Sequence, residues 1–136
     1  MKPVIVALGL VLAGCSQTGQ PVTMPPLNPD VTQATIQQTI CVRGWTGAIR
    51  PTLSFTADLK RQQIPAGASP RDYQEDHIVP LELGGAPMSE GNLRPVPWDR
   101  ARQDDAQENA LRVAVCNGSM TLGDAQAQIL KVKEGE

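Results

Sequence analysis

Aromatic residues are scarce in this sequence. Of its 136 residues only Trp45, Phe55, Tyr73 and Trp98 are Phe, Tyr or Trp. A core must therefore be assembled from Val, Leu, Ile and Ala, and it will be thin. Neither sign of charge dominates: 12 Lys and Arg stand against 14 Asp and Glu, a formal net charge of −2. That balance excludes a strongly basic chain that coats DNA, and the modest charged fraction excludes a heavily charged disordered one. The length is that of one domain, which excludes a multidomain enzyme. Internal repeats are missing as well. The longest apolar run, residues 3–14, would form a helix of roughly 18 Å, well short of a bilayer core of ~30 Å. Histidine occurs once, at His77.

The apolar run begins directly after Met1-Lys2 and ends at Cys15, the pattern of a secretory signal rather than a spanning helix. Leu12-Ala13-Gly14-Cys15 resembles the lipobox of bacterial lipoproteins. The resemblance implies removal of residues 1–14 and acylation of Cys15 with several chains, enough for stable membrane anchoring. Ser16 after the cysteine implies the periplasmic face of the outer membrane if the cell is Gram-negative. Cleavage would also remove Lys2, leaving 11 basic against 14 acidic residues and a net charge of −3. Residues 15–30 then comprise the lipidated cysteine and a tether with four prolines, and residues 31–136 the folded domain. With Cys15 occupied, Cys41 and Cys116 remain as a pair in an oxidising compartment, and a disulfide is expected between them. Its loop of about 75 residues would give a large chain-entropy benefit. Two cysteines and one histidine at these spacings match no common zinc finger.

Along the domain, Asp30 caps an expected helix over 31–40. Thr56 precedes a short helix over 57–63, ended by Pro65 and Gly67. Residues 73–79 read as a strand and 92–96 as a second, short one, with Gly84-Gly85 between them and Pro95 and Pro97 disturbing the second. Residues 99–115 lack Pro and Gly and read as one long helix with Asp99 as its N-cap. Thr121-Leu122-Gly123-Asp124 resembles a capping box that opens a last helix over 122–132. The class is α+β: a ββα unit with flanking helices.

His77 lies in Glu75-Asp76-His77-Ile78-Val79-Pro80-Leu81, followed by Gly84-Gly85 and Asn92-Leu93. A lone Asp-His pair describes a hydrogen-bonded structural histidine equally well. The whole spacing, however, resembles the HNH endonuclease (ββα-metal) motif. Ile40-Cys41-Val42, Gly44-Trp45-Thr46, Arg50-Pro51, Leu59-Lys60 and Val115-Cys116 with Gly118 further resemble small secreted or phage-associated HNH-like proteins, over roughly residues 39–130. The resemblance implies His77 as the base that activates water, Asn92 as the residue that braces the loop, and Asp76 as a ligand of one divalent metal ion (Mg²⁺, Mn²⁺, Ni²⁺ or Zn²⁺). Neutral imidazole suits the first role near pH 7, and a cation suits the charge that builds on a scissile phosphate.

The chain departs from that pattern at Ala101, where the helix-borne metal ligand is expected, because alanine cannot bind metal. Asp104 or Asp105 could reach the site one turn later, or they are solvated charges near a helix N-terminus. Arg94, Arg100 and Arg102 are candidates for holding DNA phosphates beside His77, or are solvated surface residues. Trp98 could stack on substrate or fill the rim. The leading expectation is a monomeric, envelope-anchored, metal-dependent endonuclease that hydrolyses phosphodiesters in DNA. The alternative is a non-catalytic lipoprotein that keeps the scaffold as a binding module. A purely structural envelope lipoprotein would explain the tether but not the Asp-His spacing.

Overall fold

A computed structural model describes residues 23–134 of the chain. The expected signal, Cys15 and the first part of the tether lie outside the described residues. Two antiparallel strands and four helices make up the fold, joined by short 3-10 turns. The helices are α1 (Trp45–Ile49), α2 (Leu53–Gln63), α3 (Trp98–Cys116) and α4 (Leu122–Glu134), and the strands are β1 (Tyr73–His77) and β2 (Leu93–Pro97). The class is α+β. No helix among the described residues is long and apolar enough to cross a membrane.

The helix expected over 31–40 is not formed. A single 3-10 turn, Ile36–Gln38, stands in a run of other turns. Threonine side chains compete with the helical ladder there. Thr35 Oγ1 accepts from the Thr32 amide at 2.8 Å and donates to the Asp30 carbonyl at 2.7 Å, while Thr39 Oγ1 donates to the Thr35 carbonyl. Val31, Ile36 and Ile40 are buried all the same. Ordered contacts also begin earlier than residue 31. The Ala86 amide donates to the Pro26 carbonyl and the Asn28 amide to the Gly84 carbonyl, so residues 26–28 run along the Gly-Gly loop.

α2 starts at Leu53 rather than at 57, because Thr52 Oγ1 caps it by accepting from the Phe55 amide. β1 stops at His77 instead of continuing to Val79, because Asn92 takes over the pairing of the next two residues. The Ile78 amide donates to the Asn92 carbonyl and the Val79 amide to Asn92 Oδ1, each at 2.8 Å. β2 tolerates Pro95 and Pro97 since the sheet has only two strands and each is an edge. Helix α3 opens with Pro97 in the N-cap position and Asp99 within its first turn, so Asp99 is not the cap that its sequence position suggested. At α4 the Thr121-Asp124 signature holds: Thr121 Oγ1 accepts from the Asp124 amide and donates to Asp124 Oδ2.

One aliphatic cluster forms the core, drawn from Val31, Ile36, Ile40, Val79, Leu83, Leu111, Val115, Leu122, Ala125, Ile129 and Leu130. It packs α3 and α4 against the loop that follows β1. The Cys41–Cys116 disulfide joins the threonine-rich turns to the end of α3, with Cα atoms 5.5 Å apart and a sequence separation of 75. Replacing both cysteines by serine is expected to lower unfolding stability in urea by ~4 kcal/mol, the chain-entropy value for such a loop. Added reductant should bring the unaltered chain to the same midpoint.

Candidate active site

His77 ends β1 with Asp76 directly before it, and both are buried. In the sheet register Asp76 faces Arg94 and His77 faces Leu93. Beyond His77 the chain turns through Pro80 and the glycine pair. Gly84 adopts a left-handed conformation (φ 82°). Gly85 is pressed against the backbone so closely that a Cβ there would lie 1.8 Å from the Val79 carbonyl oxygen. Asn92, fully buried, holds this loop from inside. Its Oδ1 accepts from the Val79 amide, and its Nδ2 donates to the carbonyls of Val79 (3.0 Å) and Ala86 (3.1 Å). The loop therefore delivers the Pro87 carbonyl to His77.

The His77 imidazole is buried, and its Nε2 lies 3.0 Å from the Pro87 carbonyl oxygen. A carbonyl can only accept, so Nε2 carries a proton, and in the neutral ring Nδ1 keeps its lone pair. Burial is the main influence that holds the imidazole below its ordinary value of 6.5, with Arg50 and Lys133 acting in the same direction against the Pro87 bond and Asp76. A neutral, tautomerically fixed imidazole is a base poised for use near neutral pH.

Two hollows meet at His77. One, of about 470 Å³, runs between the N-terminal part of α2 and β1, and is lined by Arg50, Leu53, Lys60, Glu75 and Trp98 as well as His77. Trp98 is 43 % exposed, and its Nε1 donates to the Arg71 carbonyl, which fixes the ring at the rim. The second, smaller and more polar, of about 190 Å³, is bordered by Arg50, Asp76, His77, Glu82, Asp105 and Glu108. Arg50 belongs to both.

The residues singled out in the sequence divide on this map. His77, Asp76, Asn92 and Asp105 come together around the loop and the polar hollow. Asp104 does not open onto that hollow: it is buried and ion-paired, Oδ1 to Arg100 Nε at 3.0 Å. Ala101 is buried one turn before it. Arg94 and Arg100 point their guanidinium groups at α4, where they donate to the Lys133 and Val132 carbonyls at 3.0 and 2.9 Å. Both therefore satisfy carbonyls in the last turn of that helix. Arg102 is exposed on α3.

Three members of the site escaped the sequence reading. Lys133, 1 % exposed, places its ammonium 2.8 Å from Asp76 Oδ2, 2.6 Å from Glu108 Oε1 and 2.7 Å from the His77 carbonyl oxygen. Burial alone would push this ammonium down, but the carboxylates of Asp76 and Glu108 outweigh it and hold the group above the usual lysine range. Glu108 is pushed up to about 7 by burial, against the pull of Lys133 and with a further push from Asp76. Glu75, its carboxyl oxygens closed off and without a hydrogen-bond partner, is likewise pushed up to about 7 by burial, with Lys60 opposing. A signal for Glu108 existed, since it sits seven residues after Ala101 and four after Asp104 on one helix face. Nothing local marked Lys133.

The chain matches no family model, no curated protein and no solved structure.

The site gives two measurable outcomes. Since the chain has one histidine, its imidazole proton resonances report His77 alone; they should titrate with a midpoint below 6.5. The folded imidazole binds its proton less tightly than the unfolded one. Its contribution to stability is thus complete above pH 6.5 and is lost as the pH falls through the folded value. Separately, Asn92→Ala strands the Val79 amide and two carbonyls without partners, and should cost about 3 kcal/mol or more in urea unfolding.

Proposed function

We propose that the protein hydrolyses phosphodiester bonds in DNA, with His77 as general base. The observation that carries this reading is the fixed neutral imidazole at the end of β1, held by the Pro87 carbonyl on a loop that Asn92 braces. An HNH-like ββα unit would present its base in this way, and β1, β2 and α3 follow one another in that order. In the reaction His77 Nδ1 takes a proton from water, and the oxygen attacks phosphorus. The P–O3′ bond breaks, and the leaving oxygen takes a proton from solvent, giving 5′-phosphate and 3′-hydroxyl ends. Arg50, exposed and bordering both hollows, supplies positive charge where negative charge builds on the phosphate. The larger hollow offers the strand a path in which Lys60 adds charge and Trp98 a face for stacking a base. Anchoring of this domain at a bacterial envelope through Cys15 belongs to the same proposal and rests on the lipobox resemblance alone.

The divalent ion that the resemblance implies does not fit the donors as they are arranged. Asp76 and Glu108 enclose an ammonium, Asp104 is tied to Arg100, and Ala101 offers no ligand atom. Among the described residues no group of three or more His, Cys, Asp or Glu side chains is placed to hold a metal ion.

These same facts favour a second reading, a non-catalytic binding module that grips DNA in the larger hollow. Plasmid nicking separates the two. The oxidised full chain, in mild detergent, is incubated with supercoiled DNA in EDTA and with Mg²⁺, Mn²⁺, Ni²⁺ or Zn²⁺. His77-dependent nicking is expected, and Arg50→Ala should slow it about 100-fold or more. Binding of DNA with no nicking under any condition, from a folded sample, selects the binding module.

A further inference from the structure

Two carboxylates and a main-chain carbonyl converge on one point beside His77, and that point is occupied by part of the chain itself. Lys133 reaches it from the last turn of α4, and all three of its acceptors lie within 2.8 Å. Asp76 and the His77 carbonyl come from β1, and Glu108 comes from the buried face of α3. Oxygen donors at such a point are what a hard divalent cation would use. A lysine that is almost wholly buried is rare unless it is paired, and here the ammonium donates to Asp76 and the His77 carbonyl and forms an ion pair with Glu108. The carbonyls that precede the ammonium in α4 are held too, by Arg94 and Arg100, so the helix end that carries Lys133 is fastened on both sides.

We propose that the Lys133 ammonium is the resident cation of this site, standing where a divalent metal ion would otherwise be held by Asp76 and Glu108. The inference deepens the hydrolase reading by assigning the cation of that same site, and its test needs no turnover. Lys133 acts here as a positioning residue. It fixes Asp76 and the main chain of His77 from behind, it keeps the two carboxylates from repelling each other, and it closes them to metal ions. Its burial and its contacts with Asp76, Glu108 and the His77 carbonyl keep it away from substrate, so charge at the phosphate is left to Arg50.

The test is the thermal midpoint of the oxidised full chain with and without Mn²⁺ or Mg²⁺, read beside Lys133→Ala and the double variant Lys133→Ala with Asp76→Asn. The unaltered chain should shift by less than about 1 °C on adding metal. Lys133→Ala should unfold earlier without metal and recover by about 4 °C or more at saturating Mn²⁺, a gain that Asp76→Asn removes. A gain of that size in the unaltered chain, abolished by Asp76→Asn, overturns the proposal, because a metal then displaces the ammonium. So does a folded Lys133→Ala chain with no gain at all, because the two carboxylates are then no cation site. Should Lys133→Ala fail to fold, the free Mn²⁺ resonance signal in titrations of the unaltered chain decides. An undiminished signal supports the assignment, and a loss that Asp76→Asn restores overturns it. The nicking assay stays independent. Absence of nicking with the thermal result intact removes the hydrolase reading and leaves Lys133 in place, whereas nicking together with metal stabilisation of the unaltered chain does the reverse.

Discussion

A charge taken out of water has to be answered inside the protein, and the Lys133 ammonium organises much of this fold for that reason. An isolated buried ammonium costs several kcal/mol, and only well-placed acceptors bring that back. Asp76 and Glu108 provide them, which fixes the spacing between β1 and α3 and ties the end of α4 to both. Burial is the main influence that raises Glu108, and the second carboxylate, Asp76, adds to it against the pull of the shared ammonium. The cluster sets the distance between elements with more directional force than an aliphatic contact could.

Polar braces recur because the core is small and contains no buried Phe, Tyr or Trp. Asn92 replaces two residues of strand pairing, Gln126 donates from α4 to the Leu83 carbonyl, and Gln33 caps α4 by accepting from the Leu122 amide. Each of these bonds joins segments far apart in the chain. The bonds of Asn92 and Gln126 hold the loop after β1, on which the position of the His77 ring depends.

The legible parts of the sequence were those with local causes. Residues free of Pro and Gly gave α3, the Thr121-Asp124 spacing gave α4, and the glycine pair marked the turn on which His77 depends. The disulfide followed from counting cysteines. Asn92 was legible as a brace only through the HNH resemblance. A cap at Asp30 suggested a helix over 31–40, but the hydroxyls of Thr35 and Thr39 bond to local backbone groups instead and leave a run of turns. Arg94 and Arg100 looked like phosphate ligands because they stand close to Asn92 in sequence, yet their targets are α4 carbonyls more than thirty residues away. Lys133 was invisible for the same reason: its three acceptors are separated from it along the chain, and a lysine near a helix C-terminus is ordinary.

The disulfide turns the stretch from Cys41 to Cys116 into a covalent ring. His77, Asp76, Asn92, Arg50 and Glu108 all lie on that ring, whereas Lys133 lies outside it. A protease that cuts once in the loop between α2 and β1 leaves both pieces joined through the sulfur bridge. A cut between α3 and α4 severs the only covalent link to the ammonium. Resistance to a single nick is therefore built into one part of the site and withheld from the other.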